Sequence, residues 1–164
     1  GDFPLTGFPP TDVAYWRKLF GVCQSRGLNH VRFHSFCPPE AAFAAADELG
    51  VYLQPECGMW NEISPGTAME RMMYDETERM IKAYGNHPSF VLLSPSNEPK
   101  ARWKEALPQW VEHFRQADPR RLYTTGTGWS LIDRPGPVQG TDYLAVGRIG
   151  EKRVRGTTIA PARS

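Results

Sequence analysis

No apolar run in the 164-residue chain approaches the ~20 residues that a membrane-crossing helix needs, so the sequence offers no candidate span. The opening stretch GDFPLTGFPP lacks the charged and apolar segments of a signal peptide, and no compartment can be read from it. An excess of one charge is missing too: 19 Lys and Arg stand against 18 Asp and Glu, without a basic block. That excludes the phosphate-neutralising patch of a nucleic-acid binder. Cysteine is scarce. Cys23, Cys37 and Cys57 are odd in number and widely spaced, with no C-x-x-C and no neighbouring histidine at ligand spacing, so they are expected as buried or idle thiols. The four histidines form no metal-ligand pattern, and no metal is expected.

Several catalytic signatures are absent as well. Gly126 and Gly128 in TGTGWS invite a phosphate-loop reading, but no Lys-Ser/Thr follows and no third glycine stands at the dinucleotide spacing. There is no G-x-S-x-G, which argues against acyl hydrolysis. Nothing in the chain calls for a cofactor.

What is present is enough apolar material for one core: 40% hydrophobic residues, 12% of the chain aromatic. Over 11–27, Val13, Trp16, Leu19, Phe20 and Cys23 recur at helical spacing behind two prolines, with Gly27 as a stop. LNHVRFH (28–34) reads as a strand. PEAAFAAADELG reads as an alanine-rich helix closed by Gly50, and VYLQPEC (51–57) as the next strand. Thr67 and Glu70 form a capping-box pattern ahead of a helix whose inner face takes Met69, Met72, Met73, Met80, Ile81 and Tyr84. SFVLLS (89–94) is continuously apolar, as a strand covered on both faces must be. ARWKEALPQWVEHFRQA (101–117) is a helix that Pro108 should kink or split, and RLYTTGTGW (121–129) a further strand. The remainder, 130–164, is irregular apart from a short strand at DYLAVG.

Regular helix–strand alternation predicts a parallel sheet with crossover helices. Four strands suit either an open doubly wound sheet, which the length favours, or part of a (β/α)₈ barrel, which the motifs favour. In both, ligands gather at the carboxyl ends of the strands, and those ends are polar here: Arg32, His34 and Ser35; Glu56; Asn97 and Glu98; Thr127 and Trp129. Glu98, in SPSNEPK, is the candidate for proton transfer, because a carboxyl at an apolar rim can have its pKa raised toward neutrality by desolvation. A helix cap or a pairing with Lys100 would place it equally well. Arg32 and His34 can orient a substrate, or Arg32 can pair with Glu56 across neighbouring strand ends. Trp60 and Trp129 lie in loops where an aromatic face can stack on a sugar ring or plug the fold from above.

Two blocks, VRFHSFCPPEAAFAAADELG and NHPSFVLLSPSNE, in that order, resemble the catalytic (β/α)₈ barrel of glycoside hydrolase family 2, the family of β-galactosidases, β-glucuronidases and β-mannosidases. The resemblance runs from about Phe3 to Gly156. It implies a single partial barrel domain over 1–164 holding about strands two to five, with 1–10 as the loop after the first strand. By resemblance, Glu98 matches the general acid/base of a retaining exo-β-glycosidase, and Asn97 the residue that binds the sugar 2-hydroxyl. Arg32, His34, Glu56, Trp60 and Trp129 would line the substrate side.

The same resemblance places the nucleophile on the seventh strand, to which no residue here corresponds; Glu56 would lie on the neighbouring third strand as a supporting residue. The expected function is therefore a retaining β-glycosidase fragment whose nucleophile lies outside the chain. A glycosidase of another family with the same barrel, or a non-catalytic carbohydrate-binding or interaction module, is the alternative. A β-glycoside is the expected partner, and the bare sheet edges of an unclosed barrel predict self-association.

Overall fold

The structure is a computed structural model that describes residues 3, 6–58, 62–128, 144–145 and 158–159. Helices and short strands alternate: α1 (Val13–Ser25), β1 (His30–Arg32), α2 (Glu40–Leu49), β2 (Tyr52–Gln54), α3 (Ala68–Tyr84), β3 (Leu92–Leu93), α4 (Trp103–Ala117) and β4 (Leu122–Tyr123). A separate antiparallel pair, β5 (Leu144–Ala145) and β6 (Thr158–Ile159), follows. β5 falls within the expected DYLAVG strand; β6 had no sequence signal.

Local chemistry sets the helix ends. Asp12 accepts the Ala14 N–H at 2.9 Å at the start of α1, and Gly27 and Gly50, both at positive φ, end α1 and α2. At α3 the Thr67 hydroxyl accepts the Glu70 N–H at 3.2 Å. The return half of the box is displaced by one residue, because the Glu70 carboxylate takes the Gly66 N–H at 2.6 Å. Met73 and Met80 are buried and Met69 is half-buried, whereas Met72 lies on the outer face of α3, half exposed. α4 runs through Pro108 without splitting. Pro108 denies a hydrogen bond to the carbonyl of exposed Lys104, which water can reach, while Leu107, Trp110, Val111 and Phe114 bury the opposite face.

Strands β1 to β4 lie side by side in chain order and run parallel. His30 pairs with Tyr52 and Arg32 with Gln54; Leu53 bridges to Phe90 and Glu56 to Ser94; Leu92 pairs with Leu122. Right-handed crossovers that always step the same way put their helices on one face. An open doubly wound sheet would reverse direction. This wedge does not, so a barrel segment is what the described strands form.

Between β2 and β3, the three steps from Leu53 to Glu56 face the four from Phe90 to Ser94, which marks a bulge. The extra residue breaks SFVLLS into isolated bridges around Leu92–Leu93. It also switches faces: Phe90 packs at a tilt against Phe43 of α2 and Leu93 joins the helix-side core, whereas Leu92 and Ser94 turn to the inner face.

The core lies between sheet and helices. Trp16 of α1 packs against both Phe20 and Phe33, with its indole donating to the Pro10 carbonyl at 2.7 Å. Trp110 and Phe114 of α4 pack on Tyr123. Below Phe90, Arg121 lies 4.0 Å from the ring centre and donates to Asp118 at 2.8 Å. His87, ahead of Pro88, ties the turn before β3 to α2, with one ring nitrogen 2.6 Å from Asp47 and the other 2.9 Å from Glu40. The cysteines are free; burial pushes the Cys37 thiol up to about 12 and raises that of Cys57 further. Among the described residues no helix is long and apolar enough to cross a membrane.

Candidate active site

Arg32 ends β1, and Glu56 lies two residues past the end of β2, so their side chains rise on the inner face at the same end of the sheet. The guanidinium grips the carboxylate with two donors, Nε to Oε1 at 2.6 Å and Nη2 to Oε2 at 3.1 Å. The Ser35 N–H adds a bond to Oε2 at 2.8 Å, and the Thr127 hydroxyl donates to Oε1. Each oxygen of the fully buried Glu56 carboxylate thus has two donors. The pairing of Arg32 with Glu56 across neighbouring strand ends, one of the two sequence readings, is what forms.

Arg32 Nη2 also donates to Asn97 Oδ1 at 2.7 Å. A guanidinium only donates, so the carboxamide oxygen must face it and the Asn97 Nδ2 must point away. That Nδ2 is buried and has no hydrogen-bond partner among the described residues. Farther down the inner face the same holds for the Gln54 carboxamide and for His30 Nε2. Burial also lowers the pKa of His30. Buried polar groups left unmatched cost about 1–3 kcal/mol each, so they mark where this face needs partners.

Glu98 follows Asn97 and is half-buried. Its N–H donates to the Thr127 carbonyl at 2.7 Å, and Asn97 bridges to Thr127 in parallel. Its φ is +44°, in the left-handed region, although the residue before a proline favours extended backbone. Ser35 and Ala101, also non-glycine, have positive φ as well, at 57° and 60°. Such strain persists only where the surroundings impose it, and it clusters at functional sites. Here it brackets the strand ends.

The structure therefore brings Arg32, Glu56, Asn97 and Glu98 together. His34 is exposed, unlike its neighbours in this group. Trp60 and Trp129 lie outside the described residues. Sequence reading named Ser35 and Thr127 only as strand-end polar residues; the Ser35 amide and Thr127 hydroxyl prove to be the donors that complete Glu56. Gly128, noticed only for a failed phosphate-loop pattern, adjoins Asn97. Among the described residues no cluster of His, Cys, Asp and Glu could hold a metal ion. A cleft of about 420 Å³ elsewhere, walled by Pro9, Cys37, Pro38, Met80 and Tyr84, includes none of these residues, so concavity alone does not find them. Chemically, the group offers a fixed ion pair, an oriented amide donor and a carboxyl on a rigid mount.

Residues 20–133 match the model of the glycosyl hydrolases family 2 TIM barrel domain. No curated protein sequence matches the chain. Among solved structures, it is similar to an FMN-binding β-glucuronidase from Facaelibacterium prausnitzii L2-6, with a TM-score of 0.67 and 22% identity over 79% of this chain and 21% of that one. A glycosyl hydrolase family 2 member from Bacteroides cellulosilyticus DSM 14838 gives a TM-score of 0.60 and 20% identity over 75% of this chain and 17% of that one. For a β-glucuronidase from Parabacteroides merdae the values are 0.59 and 18%, over 69% of this chain and 15% of that one. At these identities the structures speak for the fold, and the chain spans a fifth or less of their length in the last two and 21% in the first. The sheet order, the strand-end polar group and the family match together lead to one assignment: this chain belongs to the glycosyl hydrolases of family 2, as a partial TIM barrel holding about strands two to five of that domain.

Proposed function

We propose that the chain carries the acid/base side of a retaining β-glycosidase site, with Glu98 as general acid/base and Asn97 as the donor to the sugar hydroxyl beside the scissile bond. The observation that carries this reading is the Arg32 guanidinium, which holds Glu56 and Asn97 at once. By taking the Asn97 oxygen, it aims the amide nitrogen beside a carboxyl whose backbone the Thr127 carbonyl holds at an unusual angle, against the extended preference that Pro99 sets. In the first step Glu98 gives its proton to the leaving glycosidic oxygen; in the second, as carboxylate, it takes one from water.

Retention needs a second carboxylate ~5–5.5 Å away as nucleophile. Glu56 does not serve, because both its oxygens are already committed to Arg32, Ser35 and Thr127. It holds Arg32 in place. The nucleophile belongs to another part of the barrel, and β-glucuronides head the candidate substrates, since several of the similar structures are β-glucuronidases. Exposed His34 faces substrate from the open side, and Trp60 and Trp129 supply stacking faces.

The outer edges of β1 and β4 pair with no other strand among the described residues, and Leu122 of β4 is about half exposed, at 53%. The isolated chain accordingly self-associates through these edges. A clean monomer in sedimentation would contradict that. The catalytic reading is tested by hydrolysis of aryl β-glycosides, β-glucuronide first, by this chain and by Glu98→Ala at high protein concentration. No turnover from either agrees with a nucleophile outside the chain; turnover that the substitution abolishes supports Glu98 but brings the nucleophile into this chain or a partner copy, and turnover that survives it removes Glu98 from the role.

A further inference from the structure

We propose that Gly128 is a positioning residue for the Asn97–Glu98 pair: it is the point where the chain beyond β4 passes so close to both side chains that no larger residue fits without moving them. This rests on the reading of Asn97 and Glu98 given above. A Cβ built on Gly128 would lie 2.1 Å from Asn97 Oδ1, 3.0 Å from Asn97 Cγ and 3.2 Å from Glu98 Cγ. The first distance is impossible for a real contact. Asn97 Oδ1 has little freedom to yield, because Arg32 holds it at 2.7 Å and Arg32 is itself gripped by Glu56. Displacing the carboxamide means breaking that bond and re-aiming the buried Nδ2. The Cβ at 3.2 Å crowds Glu98 from the same side.

Gly128 works together with its neighbour. The Thr127 carbonyl takes the Glu98 N–H and the Thr127 hydroxyl supports Glu56, so Thr127 pins the pair from below. Gly128 then leaves room for both side chains above.

Its φ of +85° would strain any other residue, so crowding has to be separated from backbone strain. Gly27 supplies the control: φ is +76° there, and nothing lies within 4 Å of its would-be Cβ. Gly128→Ala is expected to lower the melting midpoint clearly more than Gly27→Ala. In a double-mutant cycle, Asn97→Ala should cost less in the Gly128→Ala background than alone, because it removes the atoms that clash. In ¹⁵N spectra the Asn97 side-chain amide, assigned by its loss in Asn97→Ala, should shift in Gly128→Ala and stay put in Gly27→Ala. Equal midpoints for the two glycine variants, an additive cycle and an unmoved Asn97 signal would overturn the proposal.

If Gly128→Ala does not fold, adding Asn97→Ala should restore folding, and failure to do so counts against it equally. Where wild-type chain hydrolyses an aryl β-glycoside, Gly128→Ala is expected to lower kcat at least tenfold with KM within about threefold. Absence of wild-type turnover bears on the catalytic reading alone, while the cycle and the spectrum still decide the role of Gly128.

Discussion

The two faces of one sheet contrast sharply. Toward the helices, Phe33, Leu53, Phe90, Leu93 and Tyr123 are buried among aromatic and aliphatic side chains. On the inner face and at the strand ends stand Gln54, Glu56 and Asn97, buried as well but polar, beside half-buried Arg32, with backbone strain alongside and several atoms unmatched. Alternating side chains on the same few residues serve both faces, so one strand can supply folding energy on one side and chemistry on the other. The difference teaches where the chain is self-sufficient and where it is not.

Substitutions can break this contrast, and the largest effect belongs on the helix side. Trp110→Ala empties the fully buried centre of the α4–β4 contact and should cost about 4 kcal/mol in denaturant unfolding. Next comes Glu56→Gln, which sets an amide donor against the donors of Arg32, Ser35 or Thr127. The charge-assisted bonds lost there are worth about 2 kcal/mol, and the Asn97 amide should lose its orientation with them, visible as a shifted side-chain resonance.

Acid should act chiefly through the helix side. Burial opposes ionisation of Asp47 and Asp118, but hydrogen bonds from Ser89 and His87 to the first, and from Arg120 with the charge of Arg121 at the second, win and hold both below the ordinary carboxylate range. A depressed folded pKa gives stability that is complete above the unfolded value of about 4 and disappears as pH falls through the folded value. Melting midpoints should therefore drop below about pH 4, and Asp118→Asn should flatten that drop. The smallest effect is expected from Leu122→Ser on the inner face: with Leu122 53% exposed, stability should stay within about 0.5 kcal/mol while self-association weakens in sedimentation.

Much of this was legible before any coordinates. Helical spacing and caps located all four helices because Thr, Asp and Gly act locally, and strand-end positions on neighbouring strands brought Arg32 to Glu56. Other features depended on partners distant in sequence. The bulge that shortens SFVLLS is defined by pairing with Leu53 and Glu56, and an apolar run carries no mark of it. Of the kink or split that Pro108 predicts for α4, the split does not occur, because the buried face of that helix outweighs one missing hydrogen bond. The sequence pattern places Met72 on one face with Met69, Met73 and Met80, and the helical turn carries it outward. The importance of Gly128 is a distance to Asn97, which sequence spacing cannot express.

The most direct test of the central claim, that the strand-end polar group is a sugar site, is a titration of ¹⁵N-labelled chain with p-nitrophenyl β-D-glucuronide and related aryl β-glycosides. The account predicts saturable shifts concentrated at the backbone amides of Ser35, Asn97, Glu98, Thr127 and Gly128, and lost in Asn97→Ala. Shifts gathered instead around Pro38, Met80 and Tyr84, or unchanged by Asn97→Ala, would contradict it.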